Sequence, residues 1–386
     1  MKKLVTALLL VVLVSGLMVS ACSEPEPTTQ PTSQPTTQPT TQPTAEPEPT
    51  AEPEPEPTAE PEPEPEPTEI YELKMSHAFP PGSDLGKALQ SWADGIVEKT
   101  NGRVEITVYG GGSLVKSAEW FDAAVTGVVD IAYGHPSEDL SHLALETGYG
   151  LPGITWPEEW PNVESRVKIH SEMREMYPII DEMRGGAVHL IDCIMPPYTL
   201  QSTTLIRTPD DIKGKKVATT GFYATVADVL EASPVTMVAP ERYMGLDRGT
   251  VEASWDVYGG IFAMKHYEVS DYYLDGPEFG SGLAQVVINR ELFESMPADI
   301  QQILTDQAIV YEFPSMAFLN EIDLAHAAIN EKGSEFVTLT EDELALWKEP
   351  LRSTQDAWVE QMTERGLPAQ EFLDDLLALI EQYKNK

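Results

Sequence analysis

IYELKMSHAFPPGSDLGKALQSWADGIVEKTNGRVEITVYGGGSL occupies residues 70–114, and its reading decides the fold. Residues 70–77 read as a strand. Ser83 and Asp84 are suited to cap a helix, and Leu85, Leu89, Trp92 and Ile96 recur behind them at helical spacing. Asn101-Gly102 is a stop signal, because both residues tolerate the left-handed backbone that ends a helix. In RVEITVY, Val104, Ile106 and Val108 alternate as one face of a second strand. After a glycine-rich turn and a short helix near 118–126, GVVDIAYG (127–134) gives a third strand with a continuous apolar run. Strand, helix, strand, helix, strand implies right-handed crossovers and a buried parallel sheet.

A second α/β block follows. AVHLIDCIM (187–195), KKVAT (215–219), PVTMV (234–238) and TVEASWDVY (250–258) read as strands. YATVADVLEA (223–232) and APERYMGLDRG (239–249) read as helices between them. LAQVVINREL (283–292) is a strand entering a helix at Asn289, and the stretches 299–330, 341–365 and 370–384 are helical in pattern. Two α/β blocks with a helical C-terminal region predict two lobes with a cleft. Open α/β sheets bind ligands beyond the carboxyl ends of their strands, which puts the site in that cleft.

The chain has 386 residues and a formal net charge of −38. Residues 23–69 carry 12 Glu, 15 Pro and no Lys or Arg, yet the remainder is still strongly acidic. A polyanion repels nucleic-acid backbones and anionic lipid, so neither is an expected partner. Two cysteines, Cys22 and Cys193, cannot form a disulfide framework, and the seven scattered His show no zinc-site spacing. No metal and no cofactor is expected. Cys193, inside an apolar strand, reads as an inert buried thiol.

Residues 1–21 have a short basic start and an apolar run, the layout of a signal peptide. Val19-Ser20-Ala21-Cys22 resembles a bacterial lipobox, in which the cysteine is lipidated and becomes the new N-terminus. Residues 22–69 then read as the lipidated Cys22 and a disordered Pro/Thr/Glu tether. Proline fixes an extended backbone and like charges repel, so the tract can span on the order of 145 Å. The expected location is extracytoplasmic, held to the outer face of the cell membrane through Cys22.

Five stretches resemble the solute-binding proteins of tripartite ATP-independent periplasmic (TRAP) transporters, the family named for dicarboxylate uptake. They are residues 76–114, GVVDIAYGHP, LIRTPDDIKGKKV, PERYMGLDRGTVEASW and INRELFESMPADIQQIL, in family order across most of 70–310. The resemblance implies the two-lobed periplasmic-binding-protein fold with a long helix bracing both lobes. Lobe one would take about 70–195 plus about 281–310, lobe two about 196–280, and the helices of about 311–386 would brace both. The implied role is capture of a small organic solute and its delivery to a TRAP permease driven by an ion gradient.

The resemblance also implies an arginine after the G-x-K-[IV] strand to grip a ligand carboxylate. GKKVATT places Ala218 there, followed by Thr219. Where the family usually carries an asparagine, VEASWDVY has Asp256. Where a second arginine is usual, PPYTLQSTT offers Pro197, Tyr198 and Gln201. An arginine–carboxylate fork is a strong, charge-assisted contact, and its loss in a buried cleft costs several kcal/mol. A ligand neutral or cationic at that end is therefore expected, walled by Trp255, Tyr258 and Tyr198. The alternatives are a slip of one or two residues, or an Asp256 satisfied inside lobe two. From lobe one, His77, Phe79, Tyr133 and His135 follow strand ends and are ligand candidates, as is Trp156.

Other classes fit less well. No G-x-S-x-G, Walker loop or H-E-x-x-H is present, so nothing points to an enzyme. A stalked adhesin would share the tether but has little need of two α/β lobes. A lipoprotein feeding ligand state to a sensor kinase would share every feature, and genes for permease subunits beside this one would separate transport from sensing.

Overall fold

The computed structural model describes residues 69–306 and 308–385, with only the backbone of Pro314 and Ser315. The segments read above as signal peptide, lipidated Cys22 and tether, up to residue 68, lie outside the described residues.

Strands within the described residues are, in chain order, β1 Tyr71–Ser76, β2 Val104–Tyr109, β3 Ile131–Gly134, β4 Ala187–Pro197, β5 Thr199–Ser202 and β6 Lys216–Thr219. They continue with β7 Ser233–Thr236, β8 Ala253–Asp256, β9 Tyr272–Leu274, β10 Ser281–Asn289 and β11 Glu335–Val337. Two sheets result. The first runs β2-β1-β3-β10-β4 and the second β11-β9-β5-β8-β6-β7. Each is therefore the centre of one lobe. In the first, β1 pairs in parallel with β2 and β3, while β10 returns antiparallel. In the second, β6 pairs in parallel with β7 and β8, and β5 runs antiparallel to β8.

The opening stretch folds as its pattern dictates. The helix Asp84–Lys99 is capped by the Ser83 side chain, which accepts from the Gly86 amide, and it buries Leu85, Leu89, Trp92 and Ile96 against β1 and β2. Asn101 and Gly102 take positive φ of 52° and 77°, the left-handed exit the sequence signalled. The stretch 299–330 is not one helix. It breaks into Ala298–Leu304, Ala308–Pro314, a π-helical turn at Ser315–Leu319, and Asn320–Lys332. Pro314 ends the helix before the π-helical turn, and proline lacks the amide hydrogen that a continuous α-helix needs there.

Two of the crossings between lobes are short segments, and a third runs through the helix Asn320–Lys332 to β11. Only Tyr198 separates β4 from β5, and its amide donates to the Gly280 carbonyl at 3.0 Å. The return from β9 to β10 passes Gly276 and Gly280, at φ 110° and 91°. Gly280 has no room for a side chain, because a Cβ there would lie 2.2 Å from the Gly150 carbonyl oxygen. The long helix Glu341–Glu364 braces both lobes. Thr340 and Glu343 form a capping box at its start, and Trp347 Nε1 donates to the Arg207 carbonyl of lobe two at 2.9 Å. Farther along, Trp358 Nε1 donates to Thr147 Oγ1 of lobe one at 2.8 Å, and Gln355 donates to the Pro152 carbonyl.

Candidate functional site

The carboxyl ends of β3, β6 and β8 approach one another where the lobes meet. After β3 the chain makes a short 3-10 turn, Pro136–Glu138. This turn touches lobe two directly: a Cβ on Gly221 would fall 1.6 Å from the Ser137 carbonyl oxygen. Nearby, the Tyr223 hydroxyl donates to the Gly150 and Phe279 carbonyls at 3.2 and 2.8 Å. The lobes are thus in contact. The crevice left between Pro136, Ser137, Gly150, Tyr198, Tyr223 and Ser281 measures about 20 Å³, enough for a single water.

Aromatic side chains line this junction from both sides. Phe79 and Tyr133 meet edge to face at 6.3 Å, and Tyr133 meets the His135 ring at 5.8 Å. From lobe two, Tyr198 packs edge-on to Tyr223 at 5.1 Å, and Tyr223 leans on Trp255 at 5.7 Å. Phe279 closes the row against Trp255 and Trp347. Three buried polar atoms at these strand ends have no hydrogen-bond partner among the described residues: Tyr133 OH, Thr219 Oγ1 and Trp255 Nε1. Buried polar groups are satisfied in nine cases of ten, so such orphans at one junction mark where a polar molecule would fit. Burial pushes the Tyr133 phenol well above its ordinary range, so it serves as a hydrogen-bonding group and not as a charge.

Asp256 is satisfied inside lobe two. Its carboxylate accepts from Arg242 Nη1 and the Val257 amide at 2.9 and 2.8 Å, with His266 Nδ1 at 3.5 Å. Burial alone would raise its pKa, but Arg242 and His266 hold it below the usual carboxylate range. Arg242 reaches it from the helix Ala239–Asp247 and also donates to the Met237 and Trp255 carbonyls. The cation that pairs with Asp256 stands on this helix and not on β6. Ala218 itself packs with Leu246 and Val251 in a small apolar cluster, where an arginine would not be accommodated without rearrangement.

Of the sequence candidates, the structure brings together Phe79, Tyr133, His135, Tyr198, Thr219, Trp255 and, through Arg242, Asp256. The others lie elsewhere. The His77 ring turns toward Gly110 and Pro81, and burial lowers its pKa to about 4. Trp156 packs within lobe one, under the Arg166 guanidinium at 4.3 Å. Gln201 is enclosed in lobe two, donating to Ser254, accepting from Ser270 and standing 3.2 Å from His266 Nδ1. Tyr258 points to the opposite side of lobe two, bonded to Asp275 at 2.6 Å and packed on His326. Arg242, Tyr223 and Glu138 were missed. Arg242 carried a signal, being a cation inside the apolar-patterned stretch PERYMGL. Tyr223 joins the site by packing on Tyr198 and Trp255 within lobe two, and Glu138 lies on the turn after β3.

Asp122, Asp139 and His142 each bring one potential metal-ligand atom within 4.8 Å of the others. His142 Nδ1 is already bonded to Asp139 at 2.9 Å, and Asp139 Oδ1 accepts two backbone amides, so the group reads as a self-contained turn. Burial raises the Cys193 thiol far above its usual range, which keeps it unreactive. Among the described residues no helix is long and apolar enough to cross a membrane.

Comparison with known proteins bears on the same arrangement. The C4-dicarboxylate-binding periplasmic protein DctP of Rhodobacter capsulatus is 23% identical over 303 residues, covering 77% of this chain and 89% of its own. A TRAP solute-binding protein from Rhodoferax ferrireducens, solved with copurified benzoate, superposes with a TM-score of 0.73 at 19% identity, covering 82% of this chain and 99% of its own. A TRAP periplasmic solute-binding protein from Chromohalobacter salexigens with bound D-glucuronate gives 0.68 at 19% identity, over 80% of this chain and 99% of its own. The sequence profile of one family matches residues 75–142 and 198–361, the segments that build the lobe junction and the bracing helix, and the chain belongs to that family: bacterial extracellular solute-binding protein, family 7.

Proposed function

We propose that the two lobes close on a small organic solute at the carboxyl ends of β3, β6 and β8, and that the closed form hands it to an ion-gradient-driven TRAP permease in the membrane. The observation that carries this reading is the lobe junction itself. The Pro136–Glu138 turn of lobe one and the aromatic rings of Tyr198, Phe222 and Tyr223 leave between them a crevice of about 20 Å³, and the orphaned polar atoms of Tyr133, Thr219 and Trp255 lie at the neighbouring strand ends. Nothing larger than a water enters such a space, so a solute reaches these groups only when the lobes part. Closure then excludes water and strengthens each polar contact. Lipidation at Cys22 and the 22–69 tether would keep the clamp beside its permease while leaving it free to turn.

The grip differs from a carboxylate fork. Arg242 is committed to Asp256 and to two carbonyls, and Ala218 offers no charge. The body of the solute is therefore held by Phe79, Tyr133, Tyr198, Tyr223 and Trp255. Its polar atoms meet the Tyr133 hydroxyl, the Thr219 hydroxyl and the Trp255 indole. A ligand neutral or cationic at the lobe-two end suits this lining.

A thermal-shift screen of the full chain against acidic, neutral and cationic metabolites tests the reading. At least one small solute should raise the melting temperature, since a ligand at a hundred times its Kd stabilises by about 2.7 kcal/mol. The Gly221→Val protein should lose that response. A solute bound equally well by the Gly221→Val protein would sink the clamp mechanism.

A further inference from the structure

One buried cation of lobe one has no anion of its own. Arg166 and Arg174 stand on the helix Glu164–Met176, and Arg184 ends the helix Ile179–Arg184. Arg174 Nη1 meets Asp192 at 2.8 Å, and Arg184 Nη2 meets Glu146 at 2.6 Å. Both carboxylates are engaged further, Asp192 with His189 Nε2 at 2.9 Å and Glu146 with Gln285 Nε2 at 2.7 Å. Arg166 is 3% exposed and forms no ion pair among the described residues. Its Nη2 donates to Ser281 Oγ at 2.6 Å, its guanidinium carbon lies 4.3 Å from the centre of the Trp156 ring, and its Nε has no partner. Burial holds His170 and His189 at about 4, so both rings are neutral near pH 7. Three guanidiniums thus face two carboxylates, and this network keeps one positive charge in excess. A buried charge without a partner is costly, which makes it a residue kept for something other than the fold.

Ser281 carries that charge to the lobe junction. It opens β10 and lines the crevice together with Ser137, Gly150, Tyr198 and Tyr223. A hydroxyl that accepts from a guanidinium still has its own proton to give, and Ser281 Oγ donates to no acceptor among the described residues. The Tyr198 hydroxyl stands beside Gly282, 3.1 Å from where a Cβ on that glycine would fall, and it too makes no hydrogen bond among the described residues. Glu146 also lines the crevice, but Arg184 neutralises it, so it does not cancel the charge of Arg166. Two free hydroxyl protons, one of them backed by an unpaired guanidinium, form a receptor for an anionic oxygen.

Resting on the capture reading, we propose that Ser281 receives an acidic group of the solute, with the Tyr198 hydroxyl as second donor, and that Arg166 is the positioning residue whose countercharge acts through Ser281. The solute is thus acidic at its lobe-one end and neutral or cationic at its lobe-two end. The positive charge that Ala218 does not supply from β6 comes from beneath β10 instead.

The test uses the full chain and two matched pairs of probes, benzoate with benzamide and D-glucuronate with D-glucuronamide. They are titrated by calorimetry against the unmodified protein and against Arg166→Met, Arg166→Lys and Ser281→Ala. At least one acid should bind the unmodified protein about tenfold or more tighter than its amide. Arg166→Met and Ser281→Ala should each weaken that acid about tenfold or more, because a charge-assisted contact is lost, and leave the amide within about threefold. Arg166→Lys keeps the charge and should restore part of the preference. Arg166→Met should also hold the unliganded melting temperature at or above that of the unmodified protein, since it removes a buried charge that nothing pairs. Acid and amide bound equally by the unmodified protein, or acid affinity unaltered in Arg166→Met, would overturn the assignment. So would a lower melting temperature in Arg166→Met with acid and amide weakened alike, the result expected of a structural cation. If neither acid binds while a neutral or cationic solute of the thermal-shift screen does, the acidic subsite falls and solute capture stands. If no solute of any kind binds, both fall.

Discussion

Arg242 and Asp256 are the residues whose pairing most changes the reading of the site. Both are buried, at 8% and 6% exposure, and they meet at 2.9 Å. Removing one partner strands the other in a low-dielectric interior, so Arg242→Ala should destabilise the fold by roughly 3–5 kcal/mol, measured by denaturant unfolding. Replacing both with apolar residues of similar size should recover most of that loss; a double variant as unstable as the single one would contradict the pairing. Gly221 makes the second argument at this scale. At φ 52° and with the Ser137 carbonyl in the way, a valine would strain the backbone and wedge the lobes apart. Gly221→Val should therefore weaken solute binding at least tenfold while each lobe keeps its circular dichroism. The sequence reading names Tyr133, Tyr198, Trp255 and Asp256 as candidates because strand ends are legible from period and family likeness. It does not name Arg242, because a pairing 14 residues apart leaves no periodic trace. It also misjudged Tyr258 and Gln201, whose side-chain directions depend on sheet register.

At the level of elements, the two sheets and the first helix were plain in the apolar periodicities. The short strands β5, β9 and β11, of three or four residues each, were not, since so few residues carry no pattern of their own. The helix Asn320–Lys332 ties the lobes in another way. Glu321 Oε1 accepts from the Asp84 amide at 2.9 Å, and Asn320 Nδ2 donates to Asp84 Oδ2 at 3.0 Å. Burial, together with the Asp84 charge, raises the Glu321 carboxyl to about 7. A carboxyl held protonated in the fold stabilises it fully below its unfolded pKa, and that contribution fades as pH rises through 7. His77, His170 and His189 run the other way: burial lowers each to about 4, so they favour the fold above pH 6.5 and oppose it as pH falls. Comparing the unmodified protein with Glu321→Gln separates the two. From pH 5 to 8 the unmodified protein should lose roughly 2–5 °C of melting temperature relative to the variant. Parallel pH profiles would show that Glu321 is not titrating at this contact.

For the whole molecule, the long helix Glu341–Glu364 fixes where motion can occur. It is bonded to lobe two through Trp347 and Glu343 and to lobe one through Trp358 and Gln355. The segments free to bend are the short crossings at Tyr198 and at residues 275–280. Trp358→Ala should cost about 3–5 kcal/mol, because the buried indole packs on Phe372 and beside Gly148 as well as bonding Thr147. A loss under 1 kcal/mol in denaturant unfolding would show the brace to be dispensable. The central claim, that the lobes close on a solute, is tested most directly by the distance between spin labels on exposed Glu119 of lobe one and exposed Glu241 of lobe two, measured by pulsed dipolar spectroscopy with and without the solute giving the largest thermal shift. A longer or broader distribution that collapses to one short distance on adding solute is the predicted result. The same distribution in both samples would contradict it.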